Sequence, residues 1–391
     1  MEKINILNFL IVIFSILSIG SVIYYIYSLY ATVVFFKQKQ EIDPDFSPPL
    51  TILKPLCGLD WESYTALTSF CQQDYPLYQI IFSVQDFQDP SIGIVQKIQQ
   101  DFPDLDIELV IGDRETALGD RILGINPKIN NLANGATKAK YPILVLSDSD
   151  IQVEKDYLKT IIQPFADPLV GVVTCLYNSL TEGWLAGFEA LDITSQFCPK
   201  VLTARQLEGV KFAFGATIAI RQETLDKIGG FASVADYLAD DYQLGYLPSQ
   251  NGYKVILSSY LVEHRLGNVT FNTFLHRQIR WFKCIRVERF WGYVGLIFTY
   301  GIINSFILLL LTQNSLFGWS IFGLVWNIRF LTAYLITIKY LKDYNAKEFF
   351  LLIPLRDFVS FGIWCYSFIG NQVIWRDKTY QLLPNGQLSQ L

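Results

Sequence analysis

The chain has 391 residues, 51% of them hydrophobic and 15% aromatic, with charged residues at only 17% against a usual share of about a quarter, which excludes a single ordinary soluble domain. Its formal charge of −5 lacks the basic excess that phosphate backbones demand, so nucleic acid is not an expected partner. Six scattered cysteines, Cys57, Cys71, Cys175, Cys198, Cys284 and Cys365, include no Cys-x-x-Cys pair, which argues against a zinc ribbon or a disulfide framework.

From Ile4 to about Phe36 there is no charged residue, more than the roughly 20 apolar residues that cross a bilayer. No small-residue cleavage site is evident, so an uncleaved anchor helix is expected rather than a signal peptide. Lys37 and Lys39 after the run, against Lys3 before it, favour a cytoplasmic location for the domain C-terminal to this helix.

Short apolar runs then recur at 50–56, 78–86, 106–112, 141–150 and 169–178. Between two of them, Pro90 to Phe102 carries Ile92, Val95 and Ile98 on one helical face. Strand and helix alternating in this way predict an α/β domain, a mostly parallel sheet with helices on both faces. Ligands of such sheets bind at the carboxyl ends of the strands. Two of the runs end in acid there: "SVQD" in Asp86 and "YPILVLSDSD" in Asp148 and Asp150. Alternate residues of an extended chain point the same way, so this Asp-x-Asp pair suits Mg²⁺ or Mn²⁺ carrying a diphosphate. The plainer alternative is a turn whose acids cap a helix starting at Glu154.

Farther along, residues 182–205 place Trp184, Phe188, Leu191 and Phe197 in an amphipathic pattern interrupted at Cys198-Pro199. It reads either as an interfacial element that guides a lipid or as a helix packed on the sheet. "ADDYQLG" sets Asp240 and Asp241 before a helix over Tyr242 to Gln250, where acids also complement the helix dipole. His264, after an expected strand, is read as a structural histidine, with metal ligation as its alternative. "HRQIRWFK" supplies Arg277, Arg280 and Trp281, either interfacial residues or partners for phosphate oxygens.

Apolar character returns in Val294 to Leu311, Phe317 to about Ile338 and Phe349 to Ile369, interrupted by Arg329, Pro354, Arg356 and Asp357. These read as three transmembrane or interfacial helices whose charges face a protein interior. Three crossings would put the tail from Asn371 opposite the catalytic domain, whereas Arg376 and Lys378 pull it toward the cytoplasm. The expected organisation is an anchor over 1–40, a catalytic domain over 41–290, membrane helices over 291–370 and a tail over 371–391. No motif fixes an oligomeric state. Neither a nucleophile elbow nor a Gly-x-x-x-x-Gly-Lys-Ser/Thr loop occurs, so hydrolase and P-loop readings fail.

The order aspartate, Asp-x-Asp, aspartate, (Gln/Arg)-x-x-Arg-Trp resembles membrane-bound, nucleotide-sugar-dependent glycosyltransferases with a GT-A, Rossmann-like catalytic domain. More narrowly, "LKPLCG", "SVQDFQDP", "GINPKINNL", "SDSD", "ADDYQLG", "RQIRW" and "WRDKTYQL" resemble the ceramide glucosyltransferase family and the related hopanoid-modifying enzymes. That resemblance implies an integral, multi-pass membrane enzyme that transfers a hexose from a UDP-sugar to a hydroxyl of a membrane lipid, with inversion and with Mg²⁺ or Mn²⁺. It implies Asp241 as the catalytic base with Asp240 beside it, and Asp86 on the uridine. Asp148 and Asp150 fall at the metal and diphosphate positions, although animal members carry glycine at the position of Asp150. Arg277, Arg280 and Trp281 fall in the block that closes over the diphosphate. Lys54 and Lys128 are implied donor contacts, Lys128 having a solvated loop lysine as its plain alternative. Three other functions compete with UDP-glucose transfer to ceramide. They are UDP-N-acetylglucosamine transfer to a hopanoid-type lipid, processive polysaccharide synthesis, for which three interrupted C-terminal runs make a poor channel, and a non-catalytic membrane receptor.

Overall fold

The computed structural model describes residues 2–38, 41–112, 123–375 and 378–390. Lys39 and Arg376, on which the topology argument leaned, lie outside the described residues, as does Asp377 of the tail motif. The chain divides into two units, one of Met1–Gln38, Gly183–Glu208 and Val269–Thr379, the other of Lys39–Glu182, Gly209–Asn268 and Tyr380–Leu391.

The second unit is built on a sheet whose strands in chain order are β1 Leu50–Pro55, β2 Tyr78–Val84, β3 Asp106–Ile111, β4 Ile143–Leu146, β5 Ile151–Gln152, β6 Val170–Thr181, β7 Ile218–Arg221 and β8 Lys254–Leu266. Among the described residues its order is β3-β2-β1-β4-β7-β6-β8-β5. The half β3-β2-β1-β4 is parallel, as the short apolar runs predict. Beyond it β7 runs antiparallel to both β4 and β6, β8 runs parallel to β6, and β5 antiparallel to β8.

Alternation along each strand sorts the apolar residues to two faces. Leu50, Ile52, Ile80, Phe82 and Val145 pack with Val95 and Ile98 of the helix Ser91–Asp101. Leu53, Ile81, Leu144 and Leu146 pack with Ile129 and Leu132 of the helix Pro127–Ala136. Each such side chain, fully buried, contributes about 1.5–3 kcal/mol, so the sheet is fixed by its own runs and the carboxyl ends of β1 and β4 are held side by side, Leu53 opposite Leu146.

The first unit holds the apolar helices. Glu2–Lys37 is one continuous helix, and among the described residues three helices are long and apolar enough to cross a membrane: Ile6–Lys37, Leu316–Tyr340 and Ala346–Tyr366. The run expected over Val294 to Leu311 is instead two helices, Phe290–Thr299 and Gly301–Leu311, bent by 60°. Tyr25 of the first helix serves that break. Its hydroxyl donates to the Thr299 carbonyl at 2.9 Å and accepts from the Gly301 N–H at 3.0 Å, re-satisfying backbone groups that a straight helix would pair internally. Arg329 and Asp357, the interrupting charges, form a buried pair at 2.8 Å, facing the protein interior as expected. The segment 182–205 forms the helices Trp184–Asp192 and Cys198–Glu208 joined by a π-turn, Ile193–Phe197. Within its own unit Leu191 meets Ala333, Ile338 and Ile353, while Phe188 meets Phe274.

Candidate active site

Three acids, Asp148, Asp240 and Asp241, gather about Lys128 near the carboxyl edge of the parallel strands. The chain leaves β4 through Ser147, whose N–H donates to the Leu53 carbonyl at 3.3 Å, and the Asp148 N–H then donates to the Gly215 carbonyl at 3.2 Å. Lys54, one residue beyond Leu53 on β1, lies fully buried beneath this loop. Its ammonium donates to the Asp148 carbonyl at 2.5 Å and to Ser147 Oγ at 3.4 Å, and it stands 3.9 Å from the centre of the Phe70 ring. Burial pushes Lys54 down to about 7, against the pull of Asp150, Asp148 and Asp60. Lys54 thus braces the loop from below.

The cation among the carboxylates is Lys128. Its Nζ lies 2.6 Å from Asp148 Oδ1 and 3.5 Å from Asp240 Oδ2, so it is an ion-paired lysine and not a solvated loop residue. Burial works against its charge, but Asp148, Asp240 and Asp241 outweigh burial and hold it protonated. It sits there because Asn126 caps the helix Pro127–Ala136, accepting from the Lys128 and Ile129 N–H groups at 2.9 and 3.2 Å, with Pro127 at the first helical position. The other end of the same amide donates to the Tyr237 carbonyl at 2.9 Å and to Asp240 Oδ1 at 3.1 Å.

Asp240 and Asp241 open the helix Asp240–Gln250, two residues earlier than expected. Asp241 accepts from the Gly215 N–H at 3.0 Å and the Tyr242 N–H at 2.8 Å. Burial and then the neighbouring Asp240 push Asp241 up to about 6, more than Lys128 and the Tyr242 amide pull it down. Gly215 leaves room for the cluster, because a Cβ there would stand 2.6 Å from Asp148 Oδ2 and 2.9 Å from Lys128 Nζ.

Asp150 points to a second set of partners. His264 Nε2 lies 3.1 Å from Asp150 Oδ2, and the other ring nitrogen lies 3.2 Å from Ser179 Oγ. His264 belongs to β8 rather than coming after it, placed opposite Ile151. Burial disfavours the Asp150 carboxylate, yet His264 and Lys54 hold its pKa below the usual range. Ser149, between the two acids, donates to Asp60 Oδ2 at 2.5 Å, and burial followed by Asp150 pushes Asp60 up. Neither Asp148 nor Asp150 caps a helix; the next one begins at Tyr157. Among the described residues no three His, Cys, Asp or Glu groups stand together to hold a metal by themselves. Two carboxylates are what Mg²⁺ or Mn²⁺ takes from a protein when substrate phosphates complete its sphere; Asp148 and Asp150 are that donor set in kind, from side chains that pair with Lys128 and His264 respectively.

Asp86 is exposed just past β2, where its Oδ1 accepts from the Gln88 N–H at 2.9 Å. Lys54, Asp86, Lys128, Asp148, Asp150, Asp240 and Asp241 all lie in the sheet unit, while Arg277, Arg280 and Trp281 lie in the helical one. There Arg277 makes a two-bond pair with Glu189, 2.7 and 2.5 Å, and the Arg280 guanidinium lies 5.6 Å from the Trp375 ring. The sequence reading missed Asn126, Gly215, Asp60 and Glu189. Asn126 carried a usable signal, an N-cap asparagine before proline; Gly215 carried none.

The family model described as glycosyl transferase family 21 matches residues 13–388. Ceramide glucosyltransferase 1 of Caenorhabditis elegans is 24% identical over 384 residues, covering 96% of this chain and 79% of the relative. Ceramide glucosyltransferase of Candida albicans is 39% identical over 123 residues, 30% of this chain and 22% of the relative. In structure the chain is similar to a mannosyltransferase from Pyrobaculum calidifontis solved with GDP-Man and Mn²⁺. The TM-score is 0.56 at 16% identity, over 93% of this chain and 99% of that one, a likeness of fold.

Proposed function

The chain belongs to glycosyl transferase family 21 and is a glycosyltransferase of GT-A-like fold, and on that premise we propose that it moves a hexose, glucose first among candidates, from a UDP-sugar to a hydroxyl of a membrane lipid such as ceramide. The observation that carries the reading is the cluster Lys128–Asp148–Asp240–Asp241 at the carboxyl edge of the parallel strands.

An acceptor hydroxyl attacks the sugar C1 only once its proton has somewhere to go, and a positioned carboxylate near the operating pH is suited to take it. Asp241 has that character: its proton affinity is raised to about 6 while two backbone N–H groups fix its orientation. Asp240 raises the basicity of Asp241, and Lys128 keeps the pair from repelling each other out of place. One base and direct displacement invert the anomeric centre, so an α-linked donor gives a β-glycoside. Asp148 and Asp150 would hold Mg²⁺ or Mn²⁺, which neutralises charge gathering on the departing diphosphate. Asp86 takes the uridine, and Arg280 and Trp281 take the diphosphate and acceptor; motif resemblance is what supports these three. Lys128, paired with Asp148, would meet the same diphosphate. The lipid acceptor accords with the apolar helices and the ceramide glucosyltransferase relatives, and Lys37 at the end of the first helix supports a catalytic unit facing the cytoplasm.

The test is radiolabelled transfer by the full chain from UDP-glucose, and from UDP-N-acetylglucosamine, to a panel of ceramide, hopanoid, sterol and diacylglycerol, with Mn²⁺, Mg²⁺ or chelator. One labelled β-glucolipid, lost with chelator, supports the reading. Transfer from UDP-N-acetylglucosamine alone replaces the donor, and polymeric product replaces the acceptor class.

A further inference from the structure

We infer that the C-terminal hairpin, residues 380–390, is a positioning element for the catalytic base, because it pairs with the stretch of chain that leads into Asp240 and Asp241. The inference rests on the reading of Asp241 as that base.

The hairpin joins the strands Lys378–Leu382 and Leu388–Gln390 in antiparallel register, Tyr380 opposite Gln390, Gln381 opposite Ser389 and Leu382 opposite Leu388. Its turn is closed by the Leu383 N–H on the Gln387 carbonyl at 2.8 Å and the Gly386 N–H on the Leu383 carbonyl at 3.0 Å. Gly386 adopts φ +88°, which glycine tolerates far better than other residues. The far edge of this turn pairs with the catalytic segment. Leu388 N–H donates to the Asp236 carbonyl at 2.7 Å, the Leu238 N–H donates to the Gly386 carbonyl at 3.4 Å, and Tyr237 and Gln387 form an antiparallel bridge.

Residues 236–239 belong to no helix and no named strand, so only neighbours hold them. On one side the Asn126 N–H bonds the Ala235 carbonyl at 2.8 Å, Asp236 Oδ1 accepts from the Ile125 N–H at 2.9 Å, and the Asn126 side chain bridges Tyr237 and Asp240. The hairpin holds the other side. Remove it and the segment loses half its clamp two residues before the helix of Asp240 and Asp241 begins. Asn126 also caps the helix of Lys128, so the displacement reaches the counter-ion as well as the base. A catalytic group out of place by about 1 Å costs on the order of 100-fold in rate.

The competing role is cover for apolar surface, since Tyr380, Leu382 and Leu388 are buried. Leu388→Pro removes the amide donor while keeping a bulky apolar side chain. Leu388→Ala keeps the amide and removes buried surface. Both are made in the full chain, together with a variant lacking residues 384–391, and each is characterised by transfer kinetics per UDP-binding site and by hydrogen exchange over 235–241. The expected result is a kcat for Leu388→Pro and for the truncation at least about tenfold lower, with the UDP dissociation constant within threefold of wild type and faster exchange over 235–241. Leu388→Ala should lower the melting temperature more than it lowers kcat. Wild-type kcat per binding site in both Leu388→Pro and the truncation, or unchanged exchange, overturns the inference. Should the wild type transfer to no acceptor, the proposed function fails on its own, and exchange over 235–241 still decides whether the hairpin clamps that segment.

Discussion

Asp241→Asn separates the role of the base from its cost to the fold. The carboxyl is raised from 3.8 to about 6, so the folded chain holds this proton more tightly than the unfolded one. Linkage fixes the sign: the stability tied to that proton is present below about pH 4 and lost as the pH rises through about 6. Two units at about 1.36 kcal/mol each come to about 3 kcal/mol, an upper figure for a side chain that is not fully buried. Asparagine does not titrate, so the stability difference, variant minus wild type, should rise by up to that amount between pH 4 and 7 and then level off. Its absolute offset is set by another effect. Both Asp241 oxygens accept backbone N–H groups, and an amide NH₂ facing one of them costs about 1–3 kcal/mol. Thermal melts of both proteins in detergent across pH 4 to 8 measure the difference, in which the other titrating groups largely cancel. Activity should fall by about 10²- to 10⁴-fold. In the wild type, log kcat/KM should decline below about pH 6. A stability difference that stays flat from pH 4 to 7, with the acid limb surviving in the variant, would refute this assignment of the base.

Lys128→Met leaves Asp148, Asp240 and Asp241 without their shared cation. The loss of stability should stay below the about 3–5 kcal/mol of a fully buried broken pair, since the Asp148 side chain is 37% exposed, and the acid limb of kcat/KM should move to higher pH; melts and a pH profile check both. Gly215→Ala forces Asp148 and Lys128 apart at contacts of 2.6 and 2.9 Å, and calorimetry should show UDP binding weaker by about tenfold, or about 1.4 kcal/mol, with little change in melting. Glu189→Gln removes a buried carboxylate that holds Arg277 and accepts from Gln278 at 3.2 Å. It should destabilise the helical unit by about 3–5 kcal/mol, read as faster hydrogen exchange across Phe271–Glu288.

In the parallel half β1, β2 and β4 were legible because they are buried on both faces and read as apolar runs, while the edge strand β3, half-buried and carrying Asp106 and Glu108, showed through its apolar end Leu109–Ile111. Beyond it the run 169–178 announced β6, but β7 and the full extent of β8 were hidden by their chemistry. The strand Lys254–Leu266 carries Ser258, Ser259, Glu263, His264 and Arg265, and Ile218–Arg221 is four residues ending in arginine; no periodicity survives such a mixture. The acids of the site were legible for a related reason, since a carboxylate at the end of an apolar strand is costly without a partner. Their partners were not. Lys54 looks like any lysine in sequence, and only the tertiary arrangement shows it beneath the Asp148 loop over Phe70. Gly215 is one of 25 glycines, distinguished only by what a Cβ would meet. The tail pairing with Asp236 and Leu238 spans about 150 residues of chain, and backbone hydrogen bonds at that separation leave no mark on side-chain patterning.

The electrostatic balance at Asp241 arises from these partners taken together. A free aspartate is too weak a base to take a hydroxyl proton, whereas one raised far above neutrality would stay protonated and idle. Burial and Asp240 move Asp241 one way and Lys128 moves it the other, and the balance settles at about 6. At pH 7 a group at that position is about 90% ionised, yet about two units more basic than in water, close to the optimum for general-base catalysis at the operating pH. Asp241 alone would not reach that position: without Asp240 its proton affinity drops, and without Lys128 it rises further. On the role proposed for Asp241, the first acid of "ADD", Asp240, therefore has its function in the second, and the helix dipole that both also complement orients them without explaining why there are two.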